Sequence, residues 1–197
     1  MLVTILLFVS LLNMPIEKSM YTGKWFSESE YVKIIEYCEN NLCETSDSKF
    51  DYGFSLIVTK VDIQKGWGLI DESALSNFLP AVYFNVERHV KGLDGKKNNK
   101  KASFFAKIAI EILEKKEIGN YTQADYQNLG VFYRYGLSVD VDKKKAYQYF
   151  SKSAEKGSDT AKYFMVEMLK VGEGVDKNEV LARKLFDELV KSDYFSY

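Results

Sequence analysis

His89 is the only histidine in this 197-residue chain, so any serine or cysteine nucleophile activated by an imidazole would depend on that one residue. It ends a helical pattern beside Arg88 and Lys91, where a basic side chain faces the negative end of the helix dipole, and the pattern assigns it that structural role. Gly53-Phe54-Ser55-Leu56-Ile57 begins like the strained turn that exposes a nucleophilic serine, but Ile57 stands where that turn requires glycine. Carboxylates are dense at Glu28, Glu30, Asp47, Asp51, Asp71 and Glu72; an acid–base pair needs convergence in a cleft, and this density reads as a solvated face. Gly66-Trp67-Gly68 and Gly172-Glu173-Gly174 lack the strand-loop-helix context and the Lys-Ser/Thr ending of a phosphate-binding loop, and read as turns. Trp67, between its glycines, is either a lid on the core or an exposed anchor for a partner.

Cys38 and Cys43 are the only thiols, too few for a disulfide framework or a four-ligand zinc site. Inside a continuous helix a five-residue offset points them apart and leaves two free thiols; if Glu39-Asn40-Asn41-Leu42 ends a helix, the sulfurs can meet. No cofactor or metal is implied, and no catalytic residue is assigned. With 27 Lys+Arg against 28 Asp+Glu there is no global field for nucleic acid or an anionic membrane. The lysines at 91, 96, 97, 100 and 101 lie among Gly92, Gly95 and Asn98-Asn99 and read as a solvated loop.

The elements that would have to position any site are mainly helical. Leu2–Leu12 is an eleven-residue apolar run, the length of a signal-peptide core and too short to span a bilayer; export competes with a buried first element. Residues 1–22 are therefore set apart, and residues 23–101 form a mostly helical region whose fold the pattern does not specify. Ser27–Asn40 spaces Tyr31, Ile34, Ile35 and Cys38 as one amphipathic helix. Phe54–Ile63 is β-branched, so strand and buried helix compete. Asp71–Val90 reads as helix with Pro80 kinking or restarting it, and Ala102–Glu117 as a further helix.

From residue 102 onward the chain repeats itself. At an offset of 36 residues Gly136 falls on Gly172, Ala146 on Ala182, Phe150 on Phe186, Leu129 on Met165 and Asp142 on Asn178. Each unit reads as a first helix (Gln123–Tyr135, Asp159–Val171), a glycine turn, and a second helix opened by Asp142 or Asn178. A weaker echo at an offset of 38, with Lys107 and Ile108 on Lys145 and Ala146, makes Ala102–Glu117 the second helix of a degenerate preceding unit. The fold class is thus an α-solenoid of about two helix-turn-helix repeats behind a mostly helical N-terminal region.

The run Tyr126–Gly136 with Leu129-Gly130, followed by Asp142, Lys145-Ala146, Phe150, Lys152, Ala154 and Gly157, resembles the Sel-one-like repeat, a relative of the tetratricopeptide repeat. The resemblance covers roughly residues 121–192. Asp125 and Val166 depart from the family's Ala and Gly, and the second unit lacks its closing Gly. The resemblance implies a non-enzymatic protein–protein interaction module. Bacterial members include envelope scaffolds and periplasmic immunity proteins that occlude toxic phospholipase-like effectors, which makes an exported or periplasmic inhibitor of a secreted toxin the first expectation. An envelope scaffold, or an enzyme with its site in residues 51–90, are the alternatives, and a cytoplasmic location is the alternative to export.

A partner face follows from helical periodicity. Tyr126, Leu129, Gly130 and Tyr133 share the arc assigned to the core, while Asn128, Val131 and Tyr135, with Phe164 and Glu167 in the second unit, share the opposite arc. A purely solvated face would not carry that many apolar side chains, so it touches either the N-terminal region or a partner. Trp67 is the further candidate for partner binding.

Overall fold

A computed structural model describes residues 27–41 and 43–192. Leu2–Leu12 lies outside the described residues. The described residues form nine α-helices, with one 3₁₀ turn and no strand among them. Two compact units divide the chain, Met1–Ala109 and Ile110–Tyr197.

The first unit opens with α1 (Glu28–Asn40), whose first turn is tied by the Ser27 amide donating to Glu30 Oε2 at 2.6 Å. Asn41 leaves the helix in an extended conformation, so the chain doubles back and Cys43 forms a disulfide with Cys38. The helix end decides between the two readings of the pair, and the free-thiol reading is the one that fails. Both cysteines pack beside Ile35, Tyr52 and Leu56, so the crosslink fastens α1 to the core it covers.

Helices α2 (Ser46–Val58) and α3 (Ile63–Leu75) follow. The β-branched run Phe54–Ile63 therefore splits into a buried helix end, a turn with Lys60 at φ 59°, and the start of the next helix. Gly66-Trp67-Gly68 is no turn, because all three residues are helical. A Cβ on Gly53 would lie 2.7 Å from the Gly66 carbonyl oxygen, and one on Gly66 would lie 2.6 Å from that of Gly53. The glycines serve a backbone-to-backbone crossing of α2 and α3, which only a residue without a side chain permits. Trp67 is turned inward at 7% exposure, stacked on Phe84 with the Arg88 guanidinium 4.3 Å from its ring. It is a lid on the core, which removes it as an exposed anchor.

Pro80 stands in the first turn of α4 (Leu79–Lys91), where its missing N–H costs nothing, so it starts a new helix instead of bending an old one. α5 (Asn99–Leu113) begins in the first unit and ends in the second. The second unit holds α6 (Gln123–Tyr135), α7 (Lys143–Glu155), α8 (Asp159–Val171) and α9 (Glu179–Lys191).

The N-terminal region uses the same local grammar as the repeats. Asp62, Asn98, Asp142 and Asn178 each accept, on Oδ1, the backbone N–H three residues on, at 2.9–3.0 Å. Four residues after each cap stands a buried small residue, Gly66, Ala102, Ala146 or Ala182. The Asn98 amide donates to the His89 carbonyl, as that of Asp142 does to Tyr133 and that of Asn178 to Leu169. These bonds place α4–α5 as a hairpin at an offset of 44 residues (142 − 98) from α6–α7, correcting the 38-residue echo while keeping α5 as a second helix. At the other end, Ser73 donates to the first carbonyl of α2, at Ser46, as Ser153 donates to that of α6, at Gln123.

Candidate protein-binding face

The second unit builds its surface around Arg134, near the end of α6. Its side chain is 11% exposed; Nη2 meets Glu173 Oε2 at 2.8 Å and Nη1 meets Glu167 Oε2 at 3.1 Å. Glu173 lies in the turn after α8, where Gly172 takes a left-handed conformation. Lys143, at the start of α7, contacts Glu173 at 2.6 Å and donates to the Arg134 carbonyl at 2.7 Å. Burial pushes the Glu173 carboxyl up, but hydrogen bonds from Arg134 and Lys143 outweigh it and hold the group below the ordinary value of 4.5.

Because the folded state depresses this carboxyl, its contribution to stability is present above the unfolded value and is lost as pH falls through the folded one. The unfolding midpoint of the wild type should exceed that of Glu173→Gln at neutral pH. The gap should close as the pH drops below 4.5. A gap independent of pH would mean that the Glu173 charge does not hold the clamp.

The expected face is only partly assembled on this frame. Tyr135 is 49% exposed, with the Arg134 guanidinium 5.5 Å and Lys143 Nζ 5.8 Å from its ring. Glu167 contributes its carboxylate to Arg134. Phe164 is half-buried, stacked on Phe150 at 4.7 Å with the Arg134 guanidinium 5.5 Å from its ring, so it supports the face from beneath. Val131 packs against the same cluster. Asn128 returns its amide to the Ala124 carbonyl of its own helix at 2.9 Å. Val171, the counterpart of Tyr135 at an offset of 36, is 71% exposed.

Arg134, Lys143 and Glu173 escaped the sequence reading. Periodicity sorts residues within one helix, whereas this cluster joins two helices and a turn across 39 residues of chain. A hint was available in Lys170, which takes Arg134's place one repeat on and lies 5.5 Å over the Phe186 ring.

Comparison with known proteins agrees with this architecture. The Sel1 repeat family model matches residues 126–158 and 161–191. A Sel1 repeat protein from Oxalobacter formigenes superposes with a TM-score of 0.59 at 22% identity over 84% of this chain and 62% of that one. The protein c5321, a protective antigen present in uropathogenic Escherichia coli strains and displaying an SLR fold, gives 0.56 at 23% identity over 82% of this chain and 33% of its own. This chain thus spans less than two thirds of either relative. Curated proteins return no match. The C-terminal end thus carries two Sel1 repeats, a repeat type that indicates a protein–protein interaction module.

Proposed function

We propose that the chain binds a protein partner through the turn-end surface of α6 and α8, with Tyr135 as the anchor. The observation that carries this reading is a half-exposed tyrosine beside an arginine whose position is fixed by two carboxylates. Tyrosine and arginine dominate binding hot spots because each offers a large, partly rigid surface with a polar edge. Tyr135 meets the partner while the Arg134–Glu173–Lys143 clamp keeps the surface in one shape beforehand, which lowers the ordering cost of association.

The finer reading is an exported inhibitor of the immunity type that occludes a secreted toxin. The Cys38–Cys43 disulfide supports export, since such bonds persist in oxidising compartments and are rare in the cytosol.

The test separates surface from core. Tyr135→Ala should leave the unfolding midpoint nearly unchanged and weaken capture of the partner by about 1–3 kcal/mol, the range of an interface anchor. Phe164→Ala should lower stability, because it removes a ring stacked on the core. Quantitative comparison of proteins retained from the native envelope fraction by wild type and by Tyr135→Ala reads the first effect. Identical retention by both would sink the reading.

A further inference from the structure

We propose that the α4–α5 turn is a subsite for a carboxylate, held between His89, Lys96 and Lys101 and presented by an acidic segment of the protein partner. An open cavity of about 420 Å³ lies here, lined by His89, Asp94, Gly95, Lys96, Asn98 and Lys101. The His89 imidazole is 2% exposed and its buried Nδ1 has no hydrogen-bond partner. Asp94 Oδ2 comes no nearer than 3.9 Å, because that oxygen is taken by Arg88 Nε at 2.8 Å. A buried polar nitrogen left this way is costly unless a ligand or solvent meets it.

The repeat grammar shows what is missing. In α2–α3, Lys65 donates to the Tyr52 hydroxyl at 2.7 Å; in α6–α7, Lys145 donates to the Tyr133 hydroxyl at 2.7 Å. Each lysine stands three residues after its Asx cap, as Lys101 does after Asn98. At the place of Tyr133, 44 residues earlier, the α4–α5 hairpin carries His89, and at the place of Tyr52, 36 residues later, Arg88; neither offers a hydroxyl oxygen. In α8–α9 the corresponding pair is Leu169 and Leu181, and the question does not arise. The α4–α5 hairpin alone thus keeps the lysine and lacks its acceptor.

An external carboxylate oxygen supplies that acceptor. One oxygen takes the Lys101 ammonium and the other faces the imidazole. The first-turn amides of α5 at Asn99 and Lys100, which no helix can satisfy internally, add a favourable dipole. Lys96 supplies the second positive charge at the rim. Asp94 decides the ligand class, since a resident carboxylate repels a dianionic phosphate more than a single carboxylate. Burial, then Arg88 and Lys101, push the His89 imidazole below its ordinary value, while Asp94 and Asp71 pull it back. A bound carboxylate adds to the second set and should raise it.

This inference rests on the protein-binding reading, but its test is independent of Tyr135. His89 is the only histidine, so a histidine-edited NMR spectrum of the whole protein reports on this site alone. A capped triglutamate peptide, titrated against sodium chloride at constant ionic strength, should give a saturable shift of the His89 resonances and a raised imidazole pKa. Lys101→Met keeps the apolar stem of an exposed side chain and should retain the wild-type unfolding midpoint. It should weaken the response by roughly tenfold, the worth of one charge-assisted hydrogen bond. Absence of saturation, an equal response in Lys101→Met, or a response to inorganic phosphate without one to the peptide would each overturn the proposal. Loss of the Tyr135→Ala binding effect with the His89 response intact would overturn the proposed face and leave this site standing.

Discussion

Phe150→Ala should lower the unfolding free energy by about 3–5 kcal/mol, the usual cost of emptying an aromatic site in a packed core. The Phe150 ring is fully buried, stacks on Phe164, and closes over Gly130 so tightly that a Cβ there would lie 2.6 Å from its Cε1. Neither neighbour can follow the lost ring, because Gly130 has no side chain and Phe164 is held beneath Arg134. The second repeat supplies the control. There Val166 stands in place of Gly130 and is buried, filling the space, and Phe186 stands in place of Phe150 at 37% exposure. Phe186→Ala should therefore cost a small fraction of the Phe150 effect. Urea unfolding of the two variants, with slopes unchanged from wild type, makes the comparison; equal midpoints would mean that the Gly130–Phe150 contact does not hold the hairpin.

The second large effect has opposite signs two residues apart on one helix. Gly66→Ala places a methyl group 2.6 Å from the Gly53 carbonyl oxygen, a backbone atom that cannot rotate away. Alanine favours helix over glycine by about 1 kcal/mol, but overpacking a helix crossing costs about 1–3 kcal/mol and sometimes more, so the clash wins. Gly68 lies in the interior of the same helix with nothing within 4 Å of its Cβ position. Gly68→Ala should gain up to about 1 kcal/mol. Thermal unfolding would show Gly66→Ala below the wild type and Gly68→Ala above it. A gain in stability at both sites would show that propensity alone governs them and that α2 and α3 do not cross at their glycines.

What the sequence disclosed and what it concealed follow from where each signal lies. Gln123–Tyr135 and Asp159–Val171 are readable to their ends because both bounds are local: Thr122 and Ser158 cap the starts, and Gly136 and Gly172 turn left-handed at the stops. The glycines at 53 and 66 mislead for the opposite reason. Their role is an approach between two helices, and such a contact leaves the same letters in the chain as a turn does. Trp67 shares that ambiguity, since its burial depends on Phe84 and Arg88 from another helix. The hidden hairpins were nearer to hand. The strings Asp62-Ile-Gln-Lys-Gly66, Asn98-Asn-Lys-Lys-Ala102, Asp142-Lys-Lys-Lys-Ala146 and Asn178-Glu-Val-Leu-Ala182 share an Asx cap and a small residue four positions on. Their offsets are uneven, 36 then 44 then 36, and a search at one fixed period misses them.

The strong helix pairings, α1 with α2, α2 with α3, α3 with α4, α6 with α7, α7 with α8 and α8 with α9, all join neighbours in sequence. Loop closure across connections of three to seven residues is entropically cheap, and little of this architecture waits on distant parts of the chain. Such a protein emerges from synthesis hairpin by hairpin, each able to form as soon as its second helix is available. Cooperativity then resides in the seams between adjacent hairpins. A lesion such as an emptied Phe150 site therefore frays its own hairpin and the next before it reaches the rest. Hairpins of unequal length therefore stand side by side in one chain, each with its own cap and close-packed small residue.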